Sequence, residues 1–207
     1  SSYFSAVDGC IGRVDWSTQR VETITKIDAQ VRGLALAGSH LVAACADGTV
    51  RVVDPTTLDV TRIQVTDFRL KVVRTVPNAG TPTVLLGGDS GELLMFDLEK
   101  RDVSSRIRNG EEWVRDCLFN TAGDALFTAD DDGRVRAWAR SQDKFALTAE
   151  ASHSHRVWCL ALDEGSSRLF SAGNDSVIRV WETASLKQLN LYEGDGSWIR
   201  TMSLRQD

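Results

Sequence analysis

Ser171, His153 and Asp175 are residue types that together can make an activated nucleophile: a hydroxyl, an imidazole to take its proton, and a carboxylate to orient the ring. No G-x-S-x-G elbow surrounds Ser171. The run Asp130, Asp131, Asp132, Gly133 has the composition of a Ca²⁺ loop, but an EF-hand needs alternating ligands and a distal Glu, which are absent. A tight turn between two strands is expected there instead. His153 and His155 could share a metal, yet no third His, Cys or carboxylate is spaced to complete a site. No metal and no cofactor is therefore expected. Cys10, Cys45, Cys117 and Cys159 lie far apart without a C-x-x-C pair and are read as reduced core thiols, which points to the cytoplasm or nucleus.

The elements that would position these residues repeat along the chain. An apolar strand ending in a bulky residue recurs as "GCIGRVDW", "GTVRVVDP", "GELLMFDL", "GRVRAWAR" and "SVIRVWET", with anchors Val14, Val53, Phe96, Trp138 and Trp181 spaced 39, 43, 42 and 43 residues apart. A second set, "QVRGLAL", "VVRTVP", "WVRDCLF", "RVWCLAL" and "WIRTMSL", places Val31, Val73, Val114, Val157 and Ile199 at spacings of 42, 41, 43 and 42. Two patterns in step define one repeating unit. Within it, short Val-, Leu- and Phe-rich runs alternate with Gly, Asp, Asn and Ser, and no stretch holds a 3.6-residue apolar period. The chain is read as all-β, with four strands per unit as in a β-propeller blade.

At residues 153–181 the sequence reads "HSHRVWCLALDEGSSRLFSAGNDSVIRVW" and resembles the WD-repeat family. That pattern has a His four residues before the strand-a Val, a Ser or Thr four before an Asp, and a Trp six after the Asp. His153, Ser171, Asp175 and Trp181 match it as a full tetrad. The preceding unit keeps Thr128, Asp132 and Trp138 as a partial tetrad but has Gly110 where the His belongs. In earlier units Asp8 and Asp47 hold the turn, while Val14, Val53 and Phe96 replace the Trp. The resemblance implies that Ser171, His153 and Asp175 form a hydrogen-bonded chain to the Trp indole that locks a blade, not a hydrolase site.

A single propeller domain over 1–207 is expected, with blades at 1–24 plus 195–207, 25–64, 65–107, 108–150 and 151–194. The preferred closure makes five blades by pairing the N- and C-terminal strands, residues 195–204 supplying the innermost strand of the first blade. The alternative is a fragment of a seven-bladed ring.

The resemblance further implies that residues flanking the strand-a Val face the top of the ring. Before it stand Gln30, Val72, Trp113, Arg156 and Trp198; after it stand Arg32, Arg74, Arg115, Trp158 and Arg200. Clustered arginines need counter-charge, and their forks suit carboxylate and phosphate. Either local acids such as Asp116, Asp131 or Asp89 supply it, or a ligand does. The ligand reading makes Arg32, Arg74, Arg115, Trp158, Arg200, Trp113, Arg156 and Trp198 a binding rim, Trp and Arg being enriched in interface hot spots.

The chain has 207 residues, 42% hydrophobic and 26% charged, ordinary for a folded domain. Its formal charge of -5 disfavours bulk nucleic-acid binding, and no apolar run approaches a membrane span. The expected function is a non-enzymatic protein-interaction scaffold whose top face recognises an acidic or phosphorylated peptide. A purely structural subunit of a large assembly is the alternative, and a hydrolase the remote one.

Overall fold

The computed structural model describes residues 2–142 and 144–205, and among them every regular element is a strand. The strands form five antiparallel sheets in chain order. The first has three, β1 (Ser2–Ser5), β2 (Cys10–Asp15) and β3 (Arg20–Lys26). The second has β4 (Val31–Ala37), β5 (His40–Cys45), β6 (Thr49–Val53) and β7 (Val60–Gln64), and the third β8 (Leu70–Thr75), β9 (Thr83–Gly88), β10 (Glu92–Asp97) and β11 (Asp102–Arg108). The fourth has β12 (Val114–Phe119), β13 (Ala125–Asp130), β14 (Arg134–Ser141) and β15 (Lys144–Ser152), and the fifth β16 (Val157–Asp163), β17 (Arg168–Gly173), β18 (Val177–Glu182) and β19 (Gln188–Glu193). Neighbours in each sheet are neighbours in sequence, the meander of a propeller blade. No helix among the described residues is long and apolar enough to cross a membrane.

Burial follows strand order, and this explains the sequence pattern. The second strands, such as "TVLLGG" in β9, are covered on both faces and read as continuous runs of apolar or small residues. The fourth strands carry alternating or open patterns, and every residue of β19 is exposed. A blade face that is apolar on both sides is stable only against a neighbouring blade.

The described residues form two compact units: those up to Thr75 together with Gly80–Arg106, and Val76–Ala79 together with those from Ile107. In the first, Ile11, Ile27, Val31, Leu41 and Val53 join the first sheet to the second, and Val42, Val50, Leu70, Val73, Leu86 and Phe96 join the second to the third. In the second, Phe127, Val135, Val157, Leu160, Leu169 and Trp181 form the core between the fourth and fifth sheets.

One irregularity recurs in every four-stranded sheet. The pairing of first with second strand skips one residue between Val31 and Gly33, Leu70 and Val72, Val114 and Asp116, and Val157 and Cys159. Each is a β-bulge, and the extra residue, Arg32, Lys71, Arg115 or Trp158, is released from the ladder. The backbone just before the bulge bends close to the end of the second strand. A Cβ at Gly88 or Gly173 would lie 1.9 Å from the carbonyl oxygen of Arg69 or Arg156, so only glycine fits.

Two expectations are revised. Residues 198–205 carry no strand, and the Ile199 N–H donates to the Gly173 carbonyl at 3.0 Å, so the first sheet has three strands among the described residues. Each other first strand meets the strand that follows it in sequence across a connection of seven residues or fewer. Residues 195–204 would need a partner from the far end of the chain, with a correspondingly larger loop-closure entropy. All four cysteines are free, but Cys10 is only half-buried: it opens β2, and its thiol donates to Asp8 at 3.4 Å.

Candidate functional site

The bulges fix which side chains share one edge of the blades. The residue before each bulge start, Gln30, Arg69, Trp113 or Arg156, accepts through its carbonyl from the N–H of Ala46, Asp89, Asp131 or Asn174, at 2.9, 3.2, 3.0 and 2.9 Å. Lys71 therefore stands where Arg32, Arg115 and Trp158 stand in their blades. Arg74, expected there from sequence, lies three residues beyond, pairs with Leu85 as Ala35 pairs with Val42, and donates Nη1 to the Val73 carbonyl at 3.0 Å. Val72, placed before the anchor by the sequence reading, is a buried strand residue. The run "LKVVR" offers two apolar residues three apart, each near a cation, and the anchor spacing matched the wrong one.

In the second unit the rim is an alternating series of indoles and guanidiniums. The Arg115 guanidinium carbon lies 4.8 Å from the centre of the Trp113 ring and 4.5 Å from that of Trp158. Arg200 lies 5.1 Å from the Trp158 ring and 5.4 Å from that of Trp198. Trp158 Nε1 donates to Asn174 Oδ1, which holds the shared indole between the two cations. Each cation–π contact contributes about 0.5–2 kcal/mol.

The two arginines differ in counter-charge. Arg115 donates Nε and Nη2 to the two oxygens of Asp131, and the side chains are 11% and 7% exposed. Arg156 adds a longer contact to Asp131, 3.6 Å, and is itself open to solvent. Arg200 is exposed, and among the described residues it makes no ion pair. Trp198 is 57% exposed. In the first unit, Arg32 is exposed and donates to Gln30 Oε1 at 3.0 Å. Asp89 Oδ1 accepts from the Arg69 N–H at 3.0 Å, and Asp116 Oδ2 from the Leu160 N–H at 3.0 Å.

The buried polar residues of the fifth sheet make one directed chain. Trp181 Nε1 donates to Ser171 Oγ at 2.7 Å, Ser171 Oγ lies 2.6 Å from His153 Nε2, and His153 Nδ1 lies 3.0 Å from Asp175 Oδ2. An Nδ1–H tautomer lets Ser171 donate to Nε2 and Nδ1–H donate to the Asp175 carboxylate, which also accepts from Arg179 Nη1, a second donor 2.5 Å from Nδ1. Burial holds His153 below its ordinary 6.5 despite the pull of Asp175, and the Arg179 charge acts in the same direction as burial. Burial would raise Asp175, but hydrogen bonds from Arg179 and His153 outweigh it and hold the carboxyl below the usual range. Ser171 has no exposed surface and its oxygen already accepts from the indole, so no substrate reaches it.

In the fourth sheet Trp138 Nε1 donates to Thr128 Oγ1 at 3.2 Å, and Thr128 donates to Asn109 Oδ1 at 2.5 Å. Asn109 Nδ2 then donates to Asp130 Oδ2 at 3.0 Å. Asn109, missed in the sequence because it lies one residue ahead of Gly110, takes the place His153 has in the next blade. Asp130, rather than Asp132, receives the amide; Asp132 bonds the Arg134 N–H at 2.8 Å and Arg136 at 3.1 Å in the turn that ends at Gly133. In the third sheet Leu86 and Phe96, both fully buried, fill the equivalent space without polar atoms. Among the described residues no group of three or more His, Cys, Asp or Glu is placed to hold a metal.

Residues 103–139 and 146–182 each match the family model described as "WD domain, G-beta repeat". The DENN domain and WD repeat-containing protein SCD1 of Arabidopsis thaliana is 30% identical over 44% of this chain and 8% of its own length. Eukaryotic translation initiation factor 3 subunit I of Xenopus tropicalis is 30% identical over 46% of this chain and 29% of its own, and the GATOR2 complex protein WDR24 of Gallus gallus is 27% identical over 53% and 16%. The matched part thus spans less than a third of each of these relatives. The two matched segments contain Trp138 and Trp181 together with the hydrogen-bonded networks that hold their indoles, and in these segments the chain carries WD repeats.

Proposed function

We propose that this chain is a non-enzymatic protein-interaction scaffold and that the rim of Trp113, Arg115, Trp158, Arg200 and Trp198 is its contact surface for an acidic or phosphorylated peptide. The observation that carries this reading is Arg200, an exposed guanidinium between two indoles with no carboxylate partner among the described residues. Exposed Arg156 adds positive charge at Asp131, the partner of Arg115. Trp and Arg in this arrangement are the residue types that dominate binding energy at interfaces. Two relatives bear names of complex subunits, which supports a partner of protein nature. The burial of Ser171 supports the non-enzymatic reading. Four unbridged thiols fit the reducing cytoplasm or nucleus.

The structural-subunit reading is favoured by one observation, the internal neutralisation of Arg115 by Asp131. Calorimetric titration of acidic, phosphorylated and neutral peptides separates the two. Binding that weakens as salt rises and is lost in Arg200→Ala with Arg156→Ala supports the rim; equal affinity for wild type and the double variant leaves the structural subunit ahead.

A further inference from the structure

Resting on the reading that this rim binds an acidic peptide, we infer that the group Arg200 takes is the planar carboxylate of a partner's Asp or Glu, not a phosphate. The protein contains the template for this contact in the neighbouring blade. Arg115 lies against two indoles, Trp113 and Trp158, at 4.8 and 4.5 Å, and a carboxylate meets it along the N–H edge, taking Nε and Nη2 together. Arg200 lies against two indoles in the same way, at 5.1 and 5.4 Å, and shares Trp158 with Arg115. What Arg200 lacks, among the described residues, is the acid.

With two indole faces against the guanidinium, an oxyanion approaches along the N–H edge. Indole faces carry the negative pole of the ring quadrupole. A carboxylate keeps both oxygens in the guanidinium plane, as a bidentate pair requires, and presents no charge to those faces. A phosphate is tetrahedral, and pairing two of its oxygens with the fork sends the others out of that plane toward the negative faces of Trp158 and Trp198. The indoles also restrain the guanidinium before binding, which reduces the ordering cost of the partner's contact. Arg156 contributes attraction that does not distinguish the two anions.

The test uses the whole chain and three peptides of one sequence in which a central pair of residues is Glu, phosphoserine or Ser, followed through the indole N–H signals of Trp158 and Trp198 in nuclear magnetic resonance titrations. Arg200→Lys keeps the charge but removes the planar fork, whereas phosphate is bound well by lysine as a point charge. The substitution is expected to weaken the Glu peptide roughly tenfold and the phosphoserine peptide much less. Equal loss for both peptides, or greater loss for phosphoserine, overturns the carboxylate assignment and leaves the acidic-peptide rim standing. If neither anionic peptide moves the two indole signals more than the Ser peptide does, the rim reading itself fails and the inference with it.

Discussion

Ser171 Oγ accepts the indole N–H of Trp181 at 2.7 Å, so this serine, placed beside His153 and Asp175, is a structural hinge-pin rather than a nucleophile. Truncation to Ser171→Ala strands two buried groups, the indole N–H and His153 Nε2. The expected loss is about 1–3 kcal/mol in urea unfolding monitored by Trp fluorescence. A variant as stable as wild type would show that the chain of hydrogen bonds contributes nothing to blade locking.

Protonation of His153 gives the same blade a pH dependence. Burial keeps the imidazole below its ordinary 6.5, so in the unfolded chain it takes up a proton at a higher pH than in the fold. The associated stability is complete above pH 6.5 and falls as pH drops below that value, until the lowered folded-state value is passed. Asp175, also held low, adds a further loss only below its ordinary 3.8. His153→Gln removes the titration at some cost in stability. Between about pH 5 and 7 the wild-type slope should therefore exceed that of the variant, by at most about 1.4 kcal/mol per pH unit. Parallel stability curves for the two proteins across that range would be incompatible with a buried neutral His153.

Asn109 does in the fourth sheet what His153 does in the fifth. Asn109→Ala removes the donor to Asp130 and the acceptor for Thr128 together, and the expected destabilisation is about 1–3 kcal/mol. Gly110→Ala is the control at the position where the family pattern would place the histidine. A Cβ there meets nothing closer than the Arg136 guanidinium at 3.6 Å, so stability should change little. Equal unfolding midpoints for wild type and Asn109→Ala would refute the assignment.

The sequence made the repeat and its two polar networks legible because strand and turn lengths fix the Ser171 to Asp175 to Trp181 spacing rigidly. Other features depended on something spacing does not encode. The Asn109 substitution is offset by one residue because a loop, not a strand, delivers it, and loops tolerate such shifts. The third blade has a long connection through Pro77 and Pro82 between β8 and β9, so the anchor period slid from Leu70 to Val73 and put Arg74 in the place of Lys71. The carbonyl of Arg69 against Gly88, matching Arg156 against Gly173, marks the true register, and a glycine at the end of the second strand was the available clue. The pairing of Arg115 with Asp131, rather than with Asp116 or Asp89, is set by a bulge that turns one side chain out of its ladder, and residue spacing does not encode that bulge.

Arg115 and Arg200 occupy like surroundings but should respond oppositely to the same truncation. Arg115→Ala leaves the Asp131 carboxylate, 7% exposed, with the 3.6 Å contact to Arg156 as its one ion pair among the described residues, and the expected cost is about 3 kcal/mol of stability. Adding Asp131→Asn removes the stranded charge and should recover part of that loss, a coupling that a double-mutant cycle reads directly. Arg200→Ala frees no buried carboxylate, since the side chain is exposed and, among the described residues, contacts indole faces, so losing its two cation–π contacts should cost about 1–2 kcal/mol, less than Arg115→Ala. Binding should divide the other way: Arg200→Ala is expected to lose the acidic peptide while remaining folded. The Asp131→Asn protein, with Arg115 released from its internal partner, should bind the same peptide more tightly than wild type. If Arg200→Ala unfolds the chain as readily as Arg115→Ala does, Arg200 is a structural residue; if Asp131→Asn leaves peptide affinity unchanged, the Arg115 guanidinium takes no part in the rim.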